Sequence, residues 1–393
     1  MVPIDTTRQL HATIETTCHV DNRLIDLIHS KVPHPPITFE IELPSGHCYL
    51  FGEGRPEFRF VVNHLIGLKA LASLDEGIIA NAYINGLFEV EGDLIKIYDL
   101  REFLSDNHPF SWLWRFLRPV ILGQVSFNKS AISHHYERDP SFYLSFLDKE
   151  TRCYTQAVFE DEDEPIEVAV RRKFDFCIER CELGVGSDVL EVGPGWGAFS
   201  EHAGKKGIHI DAITISEQSL KYMAGLSREL ELPVSTQFAD ILSYNPGKKY
   251  DAIVLMGIME HLPDYQRVLK QFTRLLKPGG YVYLDASAYT VKYEHSSFIY
   301  KHIYPGNHSF FVLHDFLKAV ADTSFQMCGV WDDRYSYYLS FRHWAEKFDR
   351  NKAFIVNKFG EEDYRRFRLY LWGSAHCFLR NTLQCYRVVL KIA

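Results

Sequence analysis

From about residue 165 the chain alternates short apolar runs with longer stretches in which apolar residues recur every three or four positions. The runs "SDVLEV", "IHIDAITIS", "VSTQFAD", "YDAIVLMGIM" and "GGYVYLDASA" read as strands. The intervening "EQSLKYMAGLSRELE" and "DYQRVLKQFTRLLK" read as amphipathic helices, as do "EVAVRRKFDFCIERCEL" before the first strand and "AFSEHAGKKG" after it. Strands alternating with helices of this length predict a doubly wound α/β sheet. After residue 290 the alternation stops. Two long helical stretches are expected there, around "YLSFRHWAEKF" and "DYRRFRLYLWGSAHCFLRNTLQ", and "CYRVVLKIA" reads as a closing strand. The first 35 or so residues read as helical and peripheral. "PHPPITFEIELPSGHCYLFG" alternates and breaks at Pro-Ser-Gly, which predicts a hairpin. Residues 1–128 are taken as a small α+β domain and 129–393 as the larger domain, with the boundary in "PVILGQVSFNKSAISHHY".

Composition narrows the partners. Aromatic residues make up 14% of the 393, enough to predict an aromatic-lined cavity beside the core. A net charge of −8 argues against a nucleic-acid partner and leaves at most peripheral contact with a membrane. No apolar run approaches the length of a membrane span, and the N-terminus lacks a signal-peptide pattern. None of the eight cysteines forms a C-x-x-C pair, so a reduced, cytoplasmic chain without a metal site is expected. Cys177 and Cys181 fall on one helix face as packing residues.

The chemistry concentrates at "LEVGPGWG", where Glu191 precedes Gly193, Gly195 and Gly197 at a strand-to-helix turn. Glycines there let the backbone approach a ligand and point amides at it. Dinucleotide enzymes use a related loop. Three details favour S-adenosylmethionine: Glu191 directly before the loop, Asp240 at the end of "FAD" as a partner for an adenine amino group, and the "LLKPGG" turn before a later strand.

Along nearly its whole length the chain resembles the cyclopropane-fatty-acid synthases and mycolic acid cyclopropane synthases. The resemblance rests on "ANAYINGLFEVEGDL", "ISHHYERDPSFYLSFLDKETRCYTQAVFE", "VLEVGPGWGAFS", "TISEQ", "MGIMEHLP", "FIYKHIYPGN" and "YYLSFRHWAEKF", all in family order. It implies a Rossmann-like class I methyltransferase domain with helical insertions, and a front domain used for dimer contacts and acceptor approach. It also implies methyl transfer from S-adenosylmethionine to an alkene carbon of a lipid-like acyl, polyketide or terpenoid acceptor, held on a phospholipid or a carrier protein. A base then removes a proton and closes a ring, or the cation collapses to a methylated chain. By the same resemblance Tyr154 and Thr155 cover the cofactor's amino-acid end. Thr214 lies near the ribose. Gln218 stands one residue before the usual glutamine position, which here is Ser219.

In the family a bicarbonate ion is the base, cradled by five side chains. Glu260 and Tyr337 match two of them, and His261 is expected to orient Glu260. Gln156 replaces a cysteine, Asp285 a histidine and Ser287 an isoleucine. Three readings of these departures stand open. Asp285, with or without Glu260, replaces bicarbonate as the base; or Asp285 and Gln156 bond a polar acceptor; or they only tie loops together. Two rivals to carbon methylation remain. One is nitrogen or oxygen methylation of a specialised metabolite, as in similar plant alkaloid enzymes; these carry an extra glutamate three residues before the Glu260 position, where this chain has Gly257. The other is a non-catalytic cofactor- or lipid-binding protein.

Overall fold

In a computed structural model, residues 21–106, 139–291, 296–304 and 309–393 are described below. They fall into two compact units. One holds residues up to 106 together with 296–298 and 360–369. The other holds the remainder. The boundary expected near 128 lies outside the described residues, as does His135 of the "HHYERD" motif.

In the first unit residues 21–31 are helical. The "FEIE" and "CYLF" runs form β1 (Phe39–Glu42) and β2 (Cys48–Phe51), the expected antiparallel hairpin. β3 (Phe58–Val62) lies parallel to β1, and β4 (Phe88–Gly92) pairs antiparallel with β3. Alternation turns one side chain in two inward, and these are largely phenylalanine. Phe39 stacks on Phe51 at 4.7 Å and on Phe58 at 5.4 Å between ring centroids. The start of the helix Glu361–Leu379 belongs to this unit. There Arg365 is held by the Glu89 carboxylate and donates to the Tyr83 carbonyl.

The second unit is built on seven strands: β5 (Asp188–Val192), β6 (His209–Thr214), β7 (Val234–Phe238), β8 (Tyr250–Met256), β9 (Leu276–Ala288), β10 (Phe325–Asp332) and β11 (Gln384–Ile392). Their order is β10-β11-β9-β8-β5-β6-β7. The five strands from β9 to β7 are parallel, and β11 runs antiparallel to both neighbours. Each strand and helix read between residues 165 and 290 is present. β10 is a strand that the pattern did not reveal. It is an edge strand, broken by a register shift between Met327 and Gly329, with alternate residues exposed, so its hydrophobic signal is weak. β8 is buried on both faces, which explains its unbroken apolar run. The helix Tyr265–Leu275 turns Val268, Leu269 and Phe272 onto the sheet core.

The chain starts in mid-sheet at β5, proceeds outward to β6 and β7, then returns to the other side of β5 as β8. Such a reversal opens a crevice beyond the carboxyl ends of the two central strands. The glycine loop follows β5, and Gly257 to His261 follow β8, so both segments reach that crevice. Phe272 is fully buried in the supporting core. Phe272→Ala is expected to cost about 3–5 kcal/mol, read from the denaturant midpoint of the second unit.

Candidate active site

A cavity of about 300 Å³ occupies the crevice. Of the residues singled out from the sequence, Tyr154, Thr155, Glu191, Gly193, Gly195, Thr214, Asp240, Glu260, His261 and Tyr337 line it. Gly197, Gln218, Asp285 and Gln156 are not among its lining residues. Gly193 has φ of 72°, and a Cβ there would meet Ile258 Cδ1 at 2.2 Å, so the loop's first bend admits glycine alone without displacement. Gly197 instead caps the helix Ala198–Gly204. Glu191 is buried beneath the loop and accepts from the Ser200 hydroxyl. Ser219, not Gln218, reaches the cavity, and its hydroxyl donates to the Gly195 carbonyl at 2.8 Å. The residue standing where the family has glutamine therefore braces the loop. Thr214 Oγ1 accepts from the Ser216 amide at 3.1 Å, turning the chain after β6.

The opposite wall is aromatic: Tyr304, Phe310, Tyr337, Phe341, Tyr370 and Phe378. The Tyr337 ring lies 4.5 Å from Phe378 and 4.8 Å from Phe341, centroid to centroid. Tyr304 and Tyr370 share a hydroxyl contact at 3.1 Å. Into this wall projects Glu260, 4% exposed, from the short turn Met259–His261. The Ser287 amide and hydroxyl both donate to its Oε1 at 2.7 Å. Ser309 pins its backbone carbonyl through amide and hydroxyl at 2.8 and 2.9 Å. Glu260 Oε2 is buried and accepts no hydrogen bond. Burial pushes Glu260 up to about 7, with the Ser287 bonds opposing. Burial likewise lifts Glu191 to about 7 and lowers His261 to about 4, so His261 is a neutral imidazole at pH 7. Burial also raises the Tyr337 phenol, which stays protonated.

Asp285 and Gln156 sit behind the wall. Asp285 is fully buried and ion-paired with Lys173 Nζ at 3.1 Å, while its Oδ1 accepts from the Gly257 amide at 2.9 Å. Burial pulls the Lys173 ammonium down, and Asp285, with Cys153 and Asp333, raises it beyond its ordinary value. Lys173 also donates to Thr155 Oγ1 at 2.6 Å. Gln156 Nε2 donates to Asp333 Oδ2 at 3.3 Å, and Asp333 pairs with Arg387 at 2.6 Å. Both side chains are thus bonded to neighbours inside the protein. Asp285 is not among the cavity's lining residues, and burial raises its carboxyl while Lys173 and the Gly257 amide oppose that shift. Of the five positions that cradle bicarbonate in the family, Gln156 and Asp285 are withdrawn from the cavity, and the Ser287 donors serve Glu260.

Lys173, Asp333 and Arg387 were not foreseen. Lys173 carried a signal. It falls on the helix face defined by Ile166, Ala169, Val170, Phe174 and Cys177, and a charge on an apolar stripe requires a buried partner.

Comparison with known proteins gives this geometry a family. Residues 124–388 match the family described as mycolic acid cyclopropane synthetase. The chain belongs to that family. It is an S-adenosylmethionine-dependent methyltransferase with the class I Rossmann-like fold and an α+β N-terminal extension, acting on a lipid-like or other small-molecule acceptor. Among the chain's relatives, the sphingolipid C9-methyltransferase of Candida albicans is 25% identical over 386 residues, covering 92% of this chain and 72% of the relative. A probable fatty acid methyltransferase of Pseudomonas putida is 24% identical over 388 residues, covering 90% and 93%. The solved structure of a coclaurine N-methyltransferase, 18% identical, shares the fold with a TM-score of 0.66 over 80% of this chain and 98% of its own. No helix among the described residues is long and apolar enough to cross a membrane.

Two carboxyls held near 7 in the folded chain, against an ordinary 4.5, make folding pH-dependent. Between those values the folded protein keeps protons that the unfolded chain releases, so their contribution to stability is lost as pH rises from about 4.5 through 7. Glu260→Gln and Glu191→Gln are each expected to flatten that decline. Denaturant midpoints across this pH range, compared with wild type, read the difference.

Proposed function

We propose that this chain transfers the methyl group of S-adenosylmethionine to an alkene carbon of a lipid-like acceptor, with Glu260 as the proton acceptor and no bicarbonate. The observation that carries the reading is Glu260 Oε2, a buried carboxylate oxygen without a hydrogen-bond partner, on a residue that lines a cavity shared with aromatic side chains. Bound S-adenosylmethionine supplies an electrophilic methyl on a sulfonium, whose C–S bond pair stays on sulfur as the methyl leaves. The acceptor's π pair forms the new C–C bond and leaves a cation on the neighbouring carbon. Tyr304, Tyr337, Phe341, Tyr370 and Phe378 line the cavity with aromatic carbon, which offers a cation no water and can stabilise positive charge. Glu260, held by Ser287 through its other oxygen, takes one proton. Taken from the transferred methyl, that proton leaves a cyclopropane; taken from an adjacent carbon, it leaves a methylated alkene. Neither outcome needs a reductant.

The glycine loop, Tyr154, Thr155, Thr214 and Asp240 are assigned to the cofactor and the aromatic wall to the acceptor. The front unit is assigned to acceptor approach. The names of the Candida and Pseudomonas relatives support a lipid acceptor. Gly257 supports carbon over nitrogen. Its φ is 67°, and a Cβ would stand 2.7 Å from Thr155 Cγ2, so this backbone has no room for the second glutamate of the alkaloid enzymes.

The test supplies S-adenosylmethionine and unsaturated acyl lipids, sphingoid bases among them, to the purified chain in bicarbonate-depleted buffer. NMR of the product should place the added carbon on a ring or an alkene carbon. A methyl on nitrogen or oxygen, or turnover that returns only with bicarbonate, refutes the reading. Glu260→Gln should lower kcat about 100-fold without weakening cofactor binding. In the wild type kcat/KM for the cofactor should rise with pH through about 7, as Glu260 loses its proton.

A further inference from the structure

We propose that Lys173 is a positioning residue of the transfer site, acting through Thr155 on the cofactor. Its ammonium is completely buried on the helix Ile166–Arg180, yet 2.6 Å from a hydroxyl on the cavity wall. An ammonium only donates, so Thr155 Oγ1 must accept from it, and the hydroxyl proton has to point elsewhere. One available direction is Cys153 Sγ at 3.3 Å, a weak acceptor. The other is the cavity, which both residues line. Lys173 thus polarises Thr155 as a donor toward an acceptor oxygen of the bound cofactor.

The same ammonium fixes where that donor stands. Through Asp285 it reaches the Gly257 amide, and the Thr155 methyl packs against Gly257. Two cavity segments distant in sequence, the run through Thr155 and the turn after β8, are locked together by one buried charge pair. An apolar pair of equal volume would fill this space with a smaller desolvation penalty, so the pair is a device for geometry rather than for stability. The inference holds whichever acceptor atom is methylated, because its readout is the cofactor.

The experiment is a mutant cycle read by S-adenosylmethionine affinity in calorimetry and by KM against kcat. The charge-neutral double variant Lys173→Met/Asp285→Asn keeps an acceptor for the Gly257 amide. It should raise Kd and KM for S-adenosylmethionine about tenfold and leave kcat within about twofold. Adding Thr155→Val to it should bind no more weakly than Thr155→Val alone, because both act through one hydroxyl. A folded double variant with wild-type affinity overturns the proposal, and so do effects that multiply. If the double variant does not fold, Thr155 decides. Thr155→Ser should bind like wild type and Thr155→Val about tenfold more weakly; equal binding by Thr155→Val overturns the proposal.

Discussion

The second unit depends on keeping a lysine charged inside its core. Lys173 and Asp285 have no solvent, so every polar atom of the pair needs a protein partner. Those partners are Thr155, the Gly257 amide and each other, which ties the helix Ile166–Arg180, β9, the end of β8 and the run before the glycine loop to one point. A second pair, Asp333 with Arg387, does the same for β11 and the start of the helix Arg334–Arg350, with Gln156 as its third member. Arg387 also lies 4.3 Å from the Phe176 ring centroid, which gives the guanidinium an apolar face to rest on. Neither pair faces the cavity. They determine the shape of its wall.

With the buried charges behind the wall balanced, Glu260 stands apart, as does Glu191, as a buried carboxyl without a cation beside it. Glu260 and Asp285 stand close in one fold, but their surroundings separate their roles. Asp285 is committed to a cation and an amide; Glu260 has donors on one oxygen and no hydrogen-bond partner on the other. Such divergence between neighbouring carboxyls is how a fold divides structural from proton-handling duty.

Much of the fold was legible because the parallel strands obey a simple rule. Buried on both faces, they read as apolar runs, and the helices between them show their stripe. β10 was not legible, since an edge strand containing Gly329 and a register shift lacks that rule. At the site, the glycine loop, Tyr154, Thr155, Asp240, Glu260 and Tyr337 could be located because motifs are local in sequence. The network around Asp285 could not. Gln156 meets Asp333 across 177 positions and Lys173 meets Asp285 across 112, and nothing in either local segment names its partner. From the sequence Asp285 stood open as a base, as a partner for a polar acceptor or as a loop tie; in the structure it is ion-paired with Lys173. The one available hint was the lysine on an apolar helix face.

That ion pair also bears on the acceptor. By holding the Gly257 amide and seating Thr155 over it, the pair closes the position from which a second carboxylate could enter. An acceptor that arrives as a cation would gain from two anions, whereas one that becomes a cation only during transfer gains most from a single group that is unpaired beforehand. Glu260 satisfies the second condition. On the proposed carbon-transfer reading, its oxygen without a hydrogen bond gains little from a neutral alkene chain and gains strongly from positive charge developing nearby. On that reading the stabilisation falls on the transition state rather than on the bound acceptor, which is where it can raise the rate.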